Sequence, residues 1–213
     1  MKRFNPGIRL VVFDLDGTLT PVDSLWTYLH AAFGTGDKGK ESARMYRDGQ
    51  LTYAEWASAD ARCWAGISLR TLENALDKIP FRSGAKELFQ TLKARGVKTA
   101  IVSAGLSILA NKAKNQLGAD FAMANDLILR DGVLTGEIIV NVNLSEKMEF
   151  VKRVAAQLHI ECDEVALVGD RPQDLTIPDC LKIAINPQDQ LTIQSADCVI
   201  GNDCLLEILE LLK

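Results

Sequence analysis

Across its 213 residues the chain has no apolar run approaching the ~20 residues needed to span a bilayer. Excess positive charge is also missing. Lys and Arg number 24 against 28 Asp and Glu, a net charge of −4, which offers no basic field for nucleic acid or an anionic membrane surface. Histidine is scarce, with only His30 and His159, and the five cysteines lack C-x-x-C spacing. An odd number of unpatterned thiols reads as free cysteines in a reducing cytoplasm. Cys162 near His159 could form a metal or nucleophile pair, but a packing role accounts for both without one. The opening residues Met1 to Gly7 begin basic, yet the apolar run after them stops at Asp14, so no secretory signal is expected. Repeats and low-complexity tracts are absent. What is present is an ordinary globular composition, 47% hydrophobic and 24% charged, long enough for a substantial core and an inserted subdomain.

The most informative segment is Asp14-Leu15-Asp16-Gly17-Thr18-Leu19-Thr20, directly after the apolar run Leu10-Val11-Val12-Phe13. A β-branched run ended by glycine predicts a buried strand. Side chains two apart share a face of a strand, so Asp14 and Asp16 can point into one site. Unpaired charge at a buried strand end is costly and needs a cation or a reaction to justify it. The plainer alternative is a solvated exit, where Asp and Gly are common turn residues.

Later segments add weight. Val97–Val102 reads as a strand ending in Ser103-Ala104-Gly105, and Val165–Val168 as another ending in Gly169-Asp170, with Asp174 four residues on. Lys147 lies near the start of an amphipathic stretch, Ser145–Leu158. Each alone is weak, since a serine after a strand is often a cap and a lone lysine a solvated charge. Together they place acid, hydroxyl and acid on three strand ends, where open parallel sheets bind ligands. Lys182–Ile185 and Cys198–Ile200 complete the predicted strands. Gly84–Arg95, Ser107–Leu117, Ser145–Leu158 and Asp203–Leu212 are the predicted helices, with Gly96 and Gly118 at C-terminal caps. The alternation of β and α predicts an α/β fold, a Rossmann-like parallel sheet covered on both faces. Residues 1–20 and 81–213 would form this core. Residues 21–80, bracketed by Pro21 and Pro80, contain all three Trp and all three Tyr and predict a helical insert. Those aromatics serve either the insert's own core or, for one or two of them, a substrate pocket.

In order and spacing, Asp14-x-Asp16-Gly-Thr, Ser103, Lys147 and Asp170-x-x-x-Asp174 resemble the four motifs of the haloacid dehalogenase superfamily. The likeness is to its phosphoserine-phosphatase-like branch and extends over nearly the whole chain, including the hairpin-like Leu129–Gly136. The resemblance implies a Mg²⁺-dependent phosphatase with a helical cap over residues 21–80, hydrolysing a small phosphomonoester. Asp14 would be the nucleophile that forms an aspartyl-phosphate, and Asp16 the general acid and base. Ser103 and Ala104 would contact the phosphoryl group and Lys147 would neutralise charge on it and on Asp14. Asp14, Asp170 and the Asp16 carbonyl would hold the metal, with Asp174 behind them. Four carboxylates against one lysine call for a further cation, and an all-oxygen set favours Mg²⁺.

Three features depart from that branch. Asp23 stands where an acid binds the substrate amine, and Tyr53 lies nearby on the cap helix, but Asp60 falls where an arginine would bind the substrate carboxylate. Serine phosphate is therefore not the first expectation, and an amine-bearing leaving group assisted by cap aromatics fits better. Arg171-Pro172-Gln173 replaces the usual centre of the fourth motif, and Ala104 replaces a glycine. The alternatives are a phosphotransferase or mutase, in which a second alcohol replaces water, and a silent phosphate-binding regulatory protein. A dehalogenase fits the set of acids less well. A small phosphorylated metabolite is the expected partner, with no nucleic acid or membrane. A cytoplasmic monomer or homodimer follows, its cap hinged near Pro21 and Pro80.

Overall fold

In the computed structural model, which describes residues 7–144 and 146–212, the run Leu10–Phe13 is strand β1, every residue of it buried. Its side chains alternate between two apolar clusters. Val11 and Phe13 join one, with Leu88, Phe89 and Leu92; Leu10 and Val12 join the other, with Val151 and Val154. A strand covered on both faces must be apolar throughout, which is why this one reads as an unbroken run.

Helices α1 (Leu25–Ala32), α2 (Gly36–Arg47), α3 (Tyr53–Cys63) and α4 (Leu69–Leu76) follow before α5 (Ala85–Ala94) returns the chain to β2 (Lys98–Leu106). Then come α6 (Ser107–Leu117), β3 (Phe121–Arg130), β4 (Val133–Ile139), α7 (Lys147–Gln157), β5 (Val165–Gly169), β6 (Leu181–Ile185), α8 (Gln190–Ser195), β7 (Cys198–Ile200) and the short α9 (Ile208–Leu211). The sheet order is β4-β3-β2-β1-β5-β6-β7. Pairings are parallel except for the antiparallel β3–β4 hairpin. The α/β architecture is thus a Rossmann-like sheet with helices on both faces.

Register sets up the site. Phe13 lies opposite both Ile101 of β2 and Val168 of β5. Asp14 and Asp170 therefore follow the carboxyl ends of β1 and β5 directly, with Ser103 on β2 between Ile101 and the strand's end at Leu106.

Several elements differ from expectation. β2 runs on to Leu106, so Ser103 and Ala104 lie within the strand and not after it. Only the turn of the β3–β4 hairpin was foreseen; its long strands carry polar residues such as Asn125 and Asp126 that break the apolar pattern. The predicted terminal helix is a 3-10 turn, Leu205–Glu207, leading into α9. The predicted start of the third core helix, Ser145, and the residues Met1 to Pro6 lie outside the described residues.

Helix α3 and the turn from it into α4 rest on the β3–β4 hairpin. Gly66 donates to the Leu134 carbonyl at 2.9 Å and Leu69 to that of Gly132 at 2.8 Å. Trp26 stacks on Trp64, and Tyr46 on Trp56. Trp64 is fully buried, so this part of the aromatic set builds the insert's interior.

Candidate active site

The chain leaves β1 through a loop closed on its own backbone. Leu19 and Thr20 both donate to the Leu15 carbonyl at 3.0 Å, and Gly17 donates to Val22 at 2.7 Å. Gly17 adopts φ +77°, and a Cβ there would lie 2.3 Å from Asp170 Oδ2. Only glycine permits both the left-handed conformation and the close approach of the first and fourth motifs.

Asp14, Asp16, Asp23, Trp26, Tyr53, Trp56, Ser103, Ala104, Lys147, Arg171, Gln173 and Asp174 line one cleft. Lys147 is at the first turn of α7 and is buried. Its ammonium donates to Asp14 Oδ1 and, at 2.6 Å, to Asp174 Oδ1. Burial alone would lower its pKa, but the two carboxylates outweigh that and hold it well above the usual lysine range. Asp170 sits beside them, accepting from Thr18 Oγ1 at 3.0 Å. Gly169 lets Asp174 pack close behind it, since a Cβ there would meet Asp174 Cβ at 2.2 Å.

The carboxyl groups are not ordinary acids. Burial raises Asp14 to about 7; Lys147 offsets part of that, and the charges of Asp174 and Asp170 add to it. Asp170 is raised to about 6, first by burial and then by Asp174. Asp16 is raised to about 7 by burial and by Asp14. Its Oδ2 accepts the Leu25 N–H at 2.7 Å, and its buried Oδ1 has no partner among the described residues.

Oxygens of Asp14, Asp170 and Asp174 lie within 4.8 Å of one another. Three convergent carboxylates with only oxygen donors suit a small hard dication. Asp174 is also held by Lys147 and by the Arg171 N–H at 3.1 Å.

On the opposite wall, Ser103 Oγ accepts the Gly105 N–H at 2.9 Å, which leaves its own hydrogen free to donate. The Ala104 carbonyl receives the Tyr53 hydroxyl, the Asn125 amide at 2.9 Å and Trp26 Nε1 at 3.4 Å. Tyr53 thus faces the cleft while tethering α3 to β2.

Asp60 is not brought to this cleft. It is buried between α1 and α2, accepting from Ser42 Oγ and lying 3.2 Å from His30 Nε2. Tyr53, Ala57, Asp60 and Ala61 form the buried stripe of α3, and two turns separate Asp60 from the end that meets the cleft. The expected repulsion of a substrate carboxylate by Asp60 therefore has no structural basis.

Sequence reasoning also missed Asn125, which is fully buried. Its Oδ1 accepts from both Asn141 and Val142 at 2.8 Å, while its Nδ2 donates to Ala104 and, at 3.2 Å, to the Tyr53 oxygen. One amide joins β2, the insert and the segment leading to Lys147. Nothing in a lone sequence separates such an asparagine from a turn residue.

The model of the haloacid dehalogenase-like hydrolases matches residues 11–177. Phosphoserine phosphatases of Idiomarina loihiensis and Methanocaldococcus jannaschii are 33% and 30% identical over 96% of this chain, which spans 93% and 98% of theirs. That of Archaeoglobus fulgidus is 32% identical over 99% of the chain, which spans 61% of its length. A substrate-bound phosphoserine phosphatase structure superposes with a TM-score of 0.82 at 29% identity, covering 96% of this chain and 98% of that one. These likenesses, and the convergence of the motif residues on one cleft, give the chain its place: it belongs to the haloacid dehalogenase-like hydrolases, in their phosphoserine-phosphatase-like branch, and is a phosphoric monoester hydrolase.

Proposed function

We propose that this chain is a Mg²⁺-dependent phosphatase that hydrolyses phosphoserine through a phosphorylated Asp14. The observation that carries it is the single cleft in which Asp14, Asp16, Ser103 and Lys147 meet. The substrate follows from relatives that are phosphoserine phosphatases, and from the position of Asp60 away from the cleft, which removes the objection to a carboxylate-bearing substrate.

In the first step an Asp14 oxygen attacks phosphorus and the bond to the serine oxygen breaks. Asp16 gives the leaving oxygen its proton. With a pKa near 7, Asp16 holds that proton at neutral pH and can also release it, as a group serving as acid and then base requires. In the second step Asp16 takes a proton from water, the water oxygen attacks phosphorus, and the Asp14–phosphorus bond breaks to release phosphate. Ser103 donates to a phosphoryl oxygen, and Lys147 keeps Asp14 oriented and its charge compensated. Asp14, Asp170 and the Asp16 carbonyl would hold Mg²⁺, with Asp174 behind them; bound there, the ion supplies the positive charge that Lys147 alone cannot. The same reading takes the enzyme to act in the cytoplasm as a monomer or homodimer.

The test is phosphate release from a panel of phosphomonoesters, with Mg²⁺ or EDTA and with added alcohols. Phosphoserine turnover that EDTA abolishes and alcohols do not divert is expected. Transfer to an alcohol would instead favour the phosphotransferase reading, and binding without turnover the silent one.

A further inference from the structure

The cations lining the cleft are Lys147 and Arg171. Lys147 is buried and already bonded to two carboxylates. Any carboxylate on the substrate must therefore be met by Arg171, or enter unpaired among Asp14, Asp16, Asp23 and Asp174.

Arg171 is well placed to meet it. Its side chain is 53% exposed, with Nε 3.7 Å from Asp170 Oδ2. One terminal nitrogen, Nη2, donates to the Asp23 carbonyl at 3.0 Å. That bond fixes the guanidinium against the entry of the insert, and the fork retains donors for a planar anion. Asp23, Trp26 and Trp56 line the same cleft. The 3-10 turn Pro172–Leu175 holds Arg171 at its N-terminal flank, where its own N–H binds Asp174. Arg171 and Asp23 are thus neighbours in the cleft that also holds Asp14 and Ser103. An amino-acid phosphomonoester carries an ammonium and a carboxylate on one carbon, and the two charges match.

We propose that Arg171 is the specificity-determining residue of this site, its guanidinium binding the substrate α-carboxylate beside Asp23, to which the family resemblance already gives the α-ammonium. The proposal rests on the phosphoserine reading and refines it. Carboxylate recognition is thereby assigned to the fourth-motif loop of the core, and not to the helical insert where Asp60 lies.

The experiment compares kcat/KM for O-phosphoserine and phosphoethanolamine, which lacks the carboxylate, in the native enzyme, Arg171→Ala and Arg171→Lys. Melting curves confirm folding, and p-nitrophenyl phosphate reports the bare phosphoryl site. In Arg171→Ala the phosphoserine-to-phosphoethanolamine ratio should fall about ten- to a hundredfold, the range for a charge-assisted hydrogen bond, chiefly through KM. Arg171→Lys should recover part of it. If both substrates decline equally, Arg171 only positions Asp170 and the proposal is overturned. A native enzyme that cleaves p-nitrophenyl phosphate but discriminates against phosphoserine would overturn the substrate reading, and Arg171 as carboxylate site with it.

Discussion

At the residue scale, two positions separate chemistry from geometry. Asp16 stays near the protonation midpoint at neutral pH because it is buried beside Asp14. Asp16→Asn keeps the Leu25 contact site but can neither donate to the leaving oxygen nor activate water. Phosphoserine turnover should fall by about 10²–10⁴. With p-nitrophenyl phosphate, whose leaving group needs no proton, stopped-flow should show a burst of nitrophenol before a slow steady state. Gly17 works by its lack of a side chain. Gly17→Ala forces a left-handed alanine, costing about 1–2 kcal/mol, and drives its methyl into Asp170. Denaturant unfolding should report a loss of at least that size, and a Mg²⁺ titration of activity should show weaker activation. The two acids were legible because they follow an apolar run directly, although they lie in the loop after β1 and not on the strand whose period was used to pair them. The pressure of Gly17 on Asp170 was not, because those residues are far apart in the chain.

At the scale of elements, the site is held by connections between β2, β3 and the insert. Asn125 is the joint. Asn125→Leu keeps the volume but strands the Asn141 and Val142 N–H groups, a cost of about 1–3 kcal/mol per unsatisfied group. Unfolding in urea should show that loss, and kcat should fall because the segment leading to Lys147 loses its tie to β3. The apolar strands β1, β5 and β6 and the helices α5 and α6 were readable from runs and periodicity. β3 was not, because its inward residue is an amide whose partners lie up to 72 positions away. Asp60 was assigned to the cleft because the family resemblance puts it where an arginine meets the substrate, and position in a motif does not say what the side chain packs against. At Asp60 the stripe meets His30 of α1 and Ser42 of α2, while Tyr53 at its start bonds to Ala104 of β2.

At the scale of the whole molecule, the fold draws carboxylates together against their mutual repulsion. Asp14 and Asp16 are raised to about 7 and Asp170 to about 6, above the unfolded value of roughly 4. Groups raised in this sense stabilise the fold fully below the unfolded pKa, and that contribution is lost as pH rises through about 6 to 7. Metal-free protein should therefore melt at a lower temperature at pH 8 than at pH 5.5. Mg²⁺ should raise the melting temperature more at pH 8, where it meets ionised acids and no competing protons. Calorimetry with EDTA and with Mg²⁺ at both values checks this, and an equal shift at both would contradict it.

All three scales converge on the covalent phosphorylation of Asp14. The direct measurement is acid quench of Asp16→Asn during incubation with Mg²⁺ and p-nitrophenyl phosphate, followed by peptide mass mapping. A phosphate-sized increase confined to the peptide carrying Asp14, absent when Asp14→Asn is added to the same chain, is the predicted result. Sustained phosphate release with no label on that peptide, or turnover that survives Asp14→Asn in the otherwise native enzyme, would contradict the account.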